Sequence, residues 1–87
     1  MSVYLRATKT GFTKLLRSRG HDIPSIRRAY FSRFRGTGWL EWLDSGGHRR
    51  KATLTAAAGR PIYWVDCGPA EELSMAEIIQ YGLYEEK

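Results

Sequence analysis

Three turn signals in the middle of the chain limit its folding more than any other feature: Gly36-Thr37-Gly38, Ser45-Gly46-Gly47 and Gly59-Arg60-Pro61. They cut the centre into short pieces that suit strands joined by tight turns. The piece His48 to Ala58 alternates cleanly. Arg50, Ala52, Leu54 and Ala56 fall on one side, and Arg49, Lys51, Thr53 and Thr55 on the other. A period of two is that of a strand with two unlike faces. Trp39 to Asp44 is less one-sided, since Trp39, Leu40 and Leu43 also fit a helical spacing. Its aromatic bulk and short length favour a strand buried on both faces. Ile62 to Cys67 reads as a third strand, so the centre is expected to form a three-stranded antiparallel meander.

On either side of the meander the pattern changes. Ser2 to Thr8 alternates, with Val3, Leu5 and Ala7 opposite Tyr4, Arg6 and Thr8, and reads as a first strand that joins the sheet. Thr10 is placed to cap a helix carrying Phe12, Leu15 and Leu16 on its apolar side, and Gly20 to end it. From Pro24 to Gly36 the spacing predicts a second helix. Ile26, Tyr30 and Phe34 share its apolar stripe, with Ala29 beside them and Arg28, Ser32 and Arg35 opposite. Arg27 lies between the two sides and Phe31 among the arginines. The two helices would make a hairpin or corner; a helix-turn-helix would need a third helix. Near the end, Ser74 and Glu77 form a capping box, with Leu73 and Ile78 at the staple positions. Gly82 and Leu83 close a short helix over Met75–Tyr81 in a Schellman-type ending. An acidic tail expected to fray follows. The expected fold is a single α+β domain over residues 1–87. A small antiparallel sheet of three to four strands would pack with two N-terminal helices and a short C-terminal helix.

Eighty-seven residues, 43% hydrophobic and 13% aromatic, suit a small folded core rather than a disordered chain. Cys67 is the only cysteine, which excludes an internal disulfide framework and points to a reducing, cytoplasmic setting. No apolar run approaches the ~18 residues of a membrane span and no signal-peptide pattern opens the chain, so no membrane partner is expected. Charge is divided unevenly. Residues 1–60 hold thirteen Lys or Arg against Asp22, Glu41 and Asp44, a net of +10, whereas residues 61–87 carry a net of −5. Ten of the fourteen cations are arginine, whose planar fork suits phosphate or carboxylate. The basic part therefore implies a partner that is nucleic acid or the acidic surface of a larger protein.

Two clusters carry that expectation. The first is Arg27, Arg28, Phe31 and Arg35, where arginines would grip phosphates and the ring would stack on a base. Snorkelling arginine stems around an apolar Phe31 would give the same pattern. The second is His48, Arg49, Arg50 and Lys51 after the Gly-Gly turn, whose backbone amides and cations are placed to hold a phosphate. A charged edge strand that resists aggregation would look alike. Trp39, Trp42, Tyr63 and Trp64 are read as core, with Trp39 and Tyr63 the exceptions most suited to a stacking surface. His21, His48, Asp66 and Cys67 lack metal-ligand spacing, and no phosphate loop of Walker or dinucleotide type occurs, so no cofactor is expected.

The order strand, helix, helix, three strands, helix resembles that of the RelE-like ribonuclease toxins, which are also small and basic. None of their strand motifs appears in Trp39 to Cys67. The resemblance implies roles for His48, Arg49, Arg50, Lys51 and Tyr63 in phosphate stabilisation and acid/base work. The function expected first is non-catalytic binding of nucleic acid through the arginine and aromatic surface. A phage-type inhibitor or adaptor docking on a larger host protein comes second and a ribonuclease third.

Overall fold

The computed structural model describes residues 3–5, 8–32, 37–57 and 60–86. In chain order the elements are β1 (Val3–Leu5), α1 (Lys9–Ser18), β2 (Ser25–Ser32), β3 (Thr37–Leu43) and β4 (Arg49–Ala57). They continue with β5 (Arg60–Val65), β6 (Glu71–Glu72), α2 (Met75–Gln80) and β7 (Tyr84–Glu86). Strands β2-β3-β4-β5-β6 form one sheet in that order, and every neighbouring pair is antiparallel. The α+β class and the central meander stand as read from the sequence, while strand number and helix arrangement differ.

The largest difference is at residues 25–32, expected to lie in a second helix and found as strand β2. The cause is a β-bulge. Ile26 pairs with Trp42 and Arg28 with Glu41, which leaves Arg27 as an extra residue. One extra residue reverses the alternation, so Ile26 shares a side with Ala29 and Phe31 instead of with Arg28 and Tyr30. Read without the bulge, the apolar positions fall at a helical spacing. Arg33 to Gly36, including Arg35 and Phe34, lie outside the described residues. With β2 a strand, neither the helical corner nor the element order shared with RelE-like toxins is present.

The two ends of the chain hold a second correction. β1 does not join the meander; it pairs antiparallel with β7, Val3 opposite Glu86 and Leu5 opposite Tyr84. The acidic tail expected to fray supplies that strand.

Both helices follow their local signals. Thr8, rather than Thr10, caps α1, its Oγ1 accepting from the Gly11 amide at 3.1 Å. Gly20 ends the helix at φ 90°, and the His21 amide donates back to the Leu16 carbonyl at 3.1 Å. On α2 the Ser74–Glu77 capping box is formed. The Leu83 amide reaches the Ile78 carbonyl at 2.8 Å past Gly82, which has φ 65°.

The core lies between α1 and one side of the sheet. Phe12, Leu15 and Leu16 of α1 meet Leu40, Trp42, Ala52, Leu54 and Tyr63, and Ile23, Leu73, Ile78 and Leu83 close the cluster. Each of the leucine, isoleucine and phenylalanine side chains contributes about 1.5–3 kcal/mol by leaving water. Phe12 sits edge-on to Phe31 at 6.4 Å and to Tyr63 at 6.1 Å between ring centroids. Phe31 in turn lies against Gly38, where a Cβ would come within 2.1 Å of the ring, so only glycine fits. No helix among the described residues is long and apolar enough to cross a membrane.

Candidate functional site

The other side of the sheet is built differently. In an antiparallel sheet paired residues share a face, and the register sets two rows on this one. The first runs Tyr30, Trp39, Thr53, Trp64 across β2, β3, β4 and β5. The second, one pleat further along, runs Arg28, Glu41, Lys51. Arg49, paired with Leu43, extends the cationic end. None of the hydrophobic residues on this face belongs to the buried core, because α1 and α2 deliver their apolar side chains to the opposite one. Tyr30 is 54% exposed, a high value for a ring. With strands about 4.8 Å apart, the aromatic row spans roughly 14 Å.

The cations stay close to the rings. Lys51 Nζ lies 4.8 Å and Arg28 Cζ 5.9 Å from the centroid of the Trp39 ring. Such contacts are worth about 0.5–1 kcal/mol where water has access. Arg28 Nη2 also donates to Glu41 Oε2 at 3.2 Å. That hydrogen bond holds the Glu41 carboxyl below its ordinary range, and the charges of Arg28, Arg49 and Lys51 add to the effect. Glu41 itself is nearly buried, with 12% of its side chain exposed. This face can therefore stack planar groups on its rings, bind anions at its rim and accept hydrogen bonds at one carboxylate.

Three of the expected site residues, Arg28, Arg49 and Lys51, share this face, and Arg28 and Lys51 stand over Trp39. The others are placed elsewhere. Arg27 is exposed at the bulge, and Phe31 packs against the core on the covered face. Arg35 lies outside the described residues. Arg50 points to the covered face, where its Nε donates to Asp66 Oδ2 at 2.6 Å. His48 stands at the β3–β4 turn with Nδ1 3.5 Å from Asp44 Oδ1.

That turn suits either a phosphate cradle or a charged strand end, and its amides are already engaged. Gly46 and His48 donate to Asp44 Oδ1 at 3.0 and 2.9 Å, and Ser45 donates to Asp22 Oδ2 at 2.7 Å. Both carboxyls are held below their usual range, Asp44 by the His48 amide first and Asp22 by its bonds to Ser45. Two carboxylates occupy the place expected for a phosphate.

Tyr63, read as core though one of the two rings most suited to a stacking surface, is core: it is 1% exposed. Its hydroxyl donates to Glu71, and burial first, then that bond, pushes its pKa up to about 12. The five residues given acid/base or phosphate roles by the toxin resemblance are thus divided between two faces and a turn. Trp39 does stand out, and Trp64 and Tyr30 join it. Sequence reasoning missed these two, and Glu41 with them. For Tyr30 the signal was present as alternation, hidden by the bulge at Arg27. No group of three His, Cys, Asp or Glu stands together among the described residues.

Set beside protein-family models, curated proteins and solved structures, the chain matches none of them.

Proposed function

We propose that the protein binds single-stranded nucleic acid on the open face of its sheet, without catalysis. The observation that carries this reading is the aromatic row Tyr30, Trp39, Trp64 bordered by Arg28, Arg49 and Lys51. Bases stack on rings whatever their sequence, and cations along one flank of the row follow the phosphates. Stacking of a base on Trp39 competes with its cation–π contacts. A stacked base is worth about 1–3 kcal/mol against about 0.5–1 for each cation. A displaced Arg28 or Lys51 then has a phosphate to bind, so stacking wins. Duplex DNA suits this surface less, since its rings are paired and enclosed.

The test is a titration of tryptophan fluorescence with oligothymidylate and oligouridylate octamers at several salt concentrations. Binding should weaken with salt at a log–log slope of roughly −2, as expected for about three phosphate contacts. Arg28→Gln with Lys51→Gln should flatten that slope, whereas Trp39→Ala should cost about 1–3 kcal/mol and leave it unchanged. No binding at low salt rejects the reading. Tight binding to an acidic protein with little salt dependence would favour the inhibitor or adaptor in its place.

A further inference from the structure

A carboxylate in the middle of a phosphate-binding surface works against affinity, and Glu41 occupies that position. It sits between Arg28 and Lys51 in their row, and two residues along β3 from Trp39 on the same face. At about 3.3 Å per residue that is roughly 7 Å, within reach of the edge of a base lying at Trp39. Arg28 engages Oε2, while Oε1 has no hydrogen-bond partner among the described residues. The Glu41 side chain is 12% exposed and bonded to Arg28, so its carboxylate is held in place on the face. An ionised carboxylate only accepts hydrogen bonds. It therefore turns phosphates and base carbonyls away and receives N–H groups.

Resting on the reading of this face as a single-strand site, we propose that Glu41 makes it selective for guanine. The bases differ in what their Watson–Crick edges offer. Guanine presents two neighbouring donors, N1–H and N2–H, spaced to meet the two oxygens of one carboxylate. Adenine and cytosine present one amino group next to an acceptor nitrogen. Thymine and uracil present one N–H between two carbonyls, both of which the carboxylate repels. Each carboxylate oxygen has two lone pairs, so Oε2 can keep Arg28 while it serves the base. The flanking cations hold the backbone to either side and leave the base edge over Glu41. Single-stranded ligands are read in this way, through unstacked bases and their exposed edges.

The experiment uses octanucleotides of thymidine, and the same of uridine, with one central guanine, hypoxanthine or adenine. Hypoxanthine keeps N1–H and lacks the amino group, so it removes one of the two bonds. The wild-type protein should bind the guanine octamer on the order of tenfold more tightly than the adenine one. Hypoxanthine should fall between them. Glu41→Gln keeps the size of the side chain, and it should reduce the guanine-to-adenine ratio to less than about twofold. Affinity for plain oligothymidylate should hold or rise, since a negative charge is removed; a fold lost in this variant would lower both. Equal binding of all three octamers by the wild-type protein overturns the role of Glu41 and leaves the stacking surface standing. An unchanged ratio in Glu41→Gln does the same. Failure of every octamer to bind at low salt rejects the single-strand site itself.

Discussion

The two faces of the central sheet are made from the same strands, and adjacent residues go to opposite fates. On the covered face Leu40, Trp42, Ala52 and Leu54 are shielded from water by α1. On the open face their neighbours differ: Lys51 is exposed, Trp39 and Thr53 are half-buried, and Glu41 is nearly buried between Arg28 and Lys51. The covered face is apolar and sets the stability of the fold. The open face carries large rings that a stable core would have buried, beside charges that a core would exclude. Of these rings Tyr30 is exposed and Trp39 and Trp64 are half-buried, so this face leaves in water aromatic area that the covered face hides. The lesson lies in Trp39 and Trp42. Composition gives them equal value, yet a separation of three residues puts one in the core and one on the surface.

That pair gives the largest effect. Trp42→Ala should cost about 3–5 kcal/mol of stability, because a large ring leaves a cavity under α1. Trp39→Ala should cost less, about 1–2 kcal/mol, because its ring is half-buried and its loss opens no cavity under α1. Urea denaturation of the two variants measures both. Equal losses would mean that the open face is covered, and the contrast between the faces would be gone.

Next comes the place where the covered face has no room. Gly38→Ala sets a methyl within 2.1 Å of Phe31 Cδ1 and 2.7 Å from the Tyr30 carbonyl oxygen. An overpacked position of this kind loses about 1–3 kcal/mol. In a Phe31→Ala background the cost of Gly38→Ala should shrink but not vanish, since the backbone approach of β2 remains. A melting temperature unchanged by Gly38→Ala would show that β2 can move away from β3.

How far the chain could be read follows from where each signal sits. The faces of β4 were legible because its alternation is unbroken from Arg49 to Thr55, and α2 because its cap is a local pattern of four residues. β2 was not legible, since the bulge at Arg27 reverses the phase within the strand and no residue type announces it. The pairing of β1 with β7 joins opposite ends of the chain, which local periodicity does not report. The site was legible in part for the same reason. Arg28, Arg49 and Lys51 were visible as cations, but which of the arginines were already committed was not. Arg50 is taken by Asp66 across the β4–β5 pair, and the turn amides by Asp44 and Asp22. The Asp66 partner is set by strand register and the Asp22 partner by the fold, both tertiary properties. Asp44, in contrast, takes its amides locally within the turn.

The smallest effect distinguishes the faces by pH. On the covered face Tyr63 is buried, its hydroxyl donates to Glu71, and its pKa is pushed up to about 12 from an ordinary value of 10. A group whose folded pKa is raised adds stability that is complete below the unfolded value and is lost as pH climbs through the folded one. The window for Tyr63 is therefore pH 10 to about 12. Carboxylates behave in the opposite sense. Glu41 on the open face, held down first by its bond from Arg28, and Glu77, held down first by Arg19, add stability that is lost as pH falls below the ordinary carboxylate range. Tyr63→Phe keeps the ring under α1 and removes only the hydroxyl. It should cost about 1 kcal/mol at neutral pH, the usual worth of one hydrogen bond. It should also make the fall in stability between pH 10 and 12 shallower, and leave the acid side as it was. Glu41→Gln should do the reverse, softening the acid side and leaving the alkaline one. Denaturation midpoints measured from pH 3 to 12 for the two variants would separate these effects. An alkaline limb unchanged by Tyr63→Phe would mean that the hydroxyl reaches water, and that the covered face is open between β5 and β6.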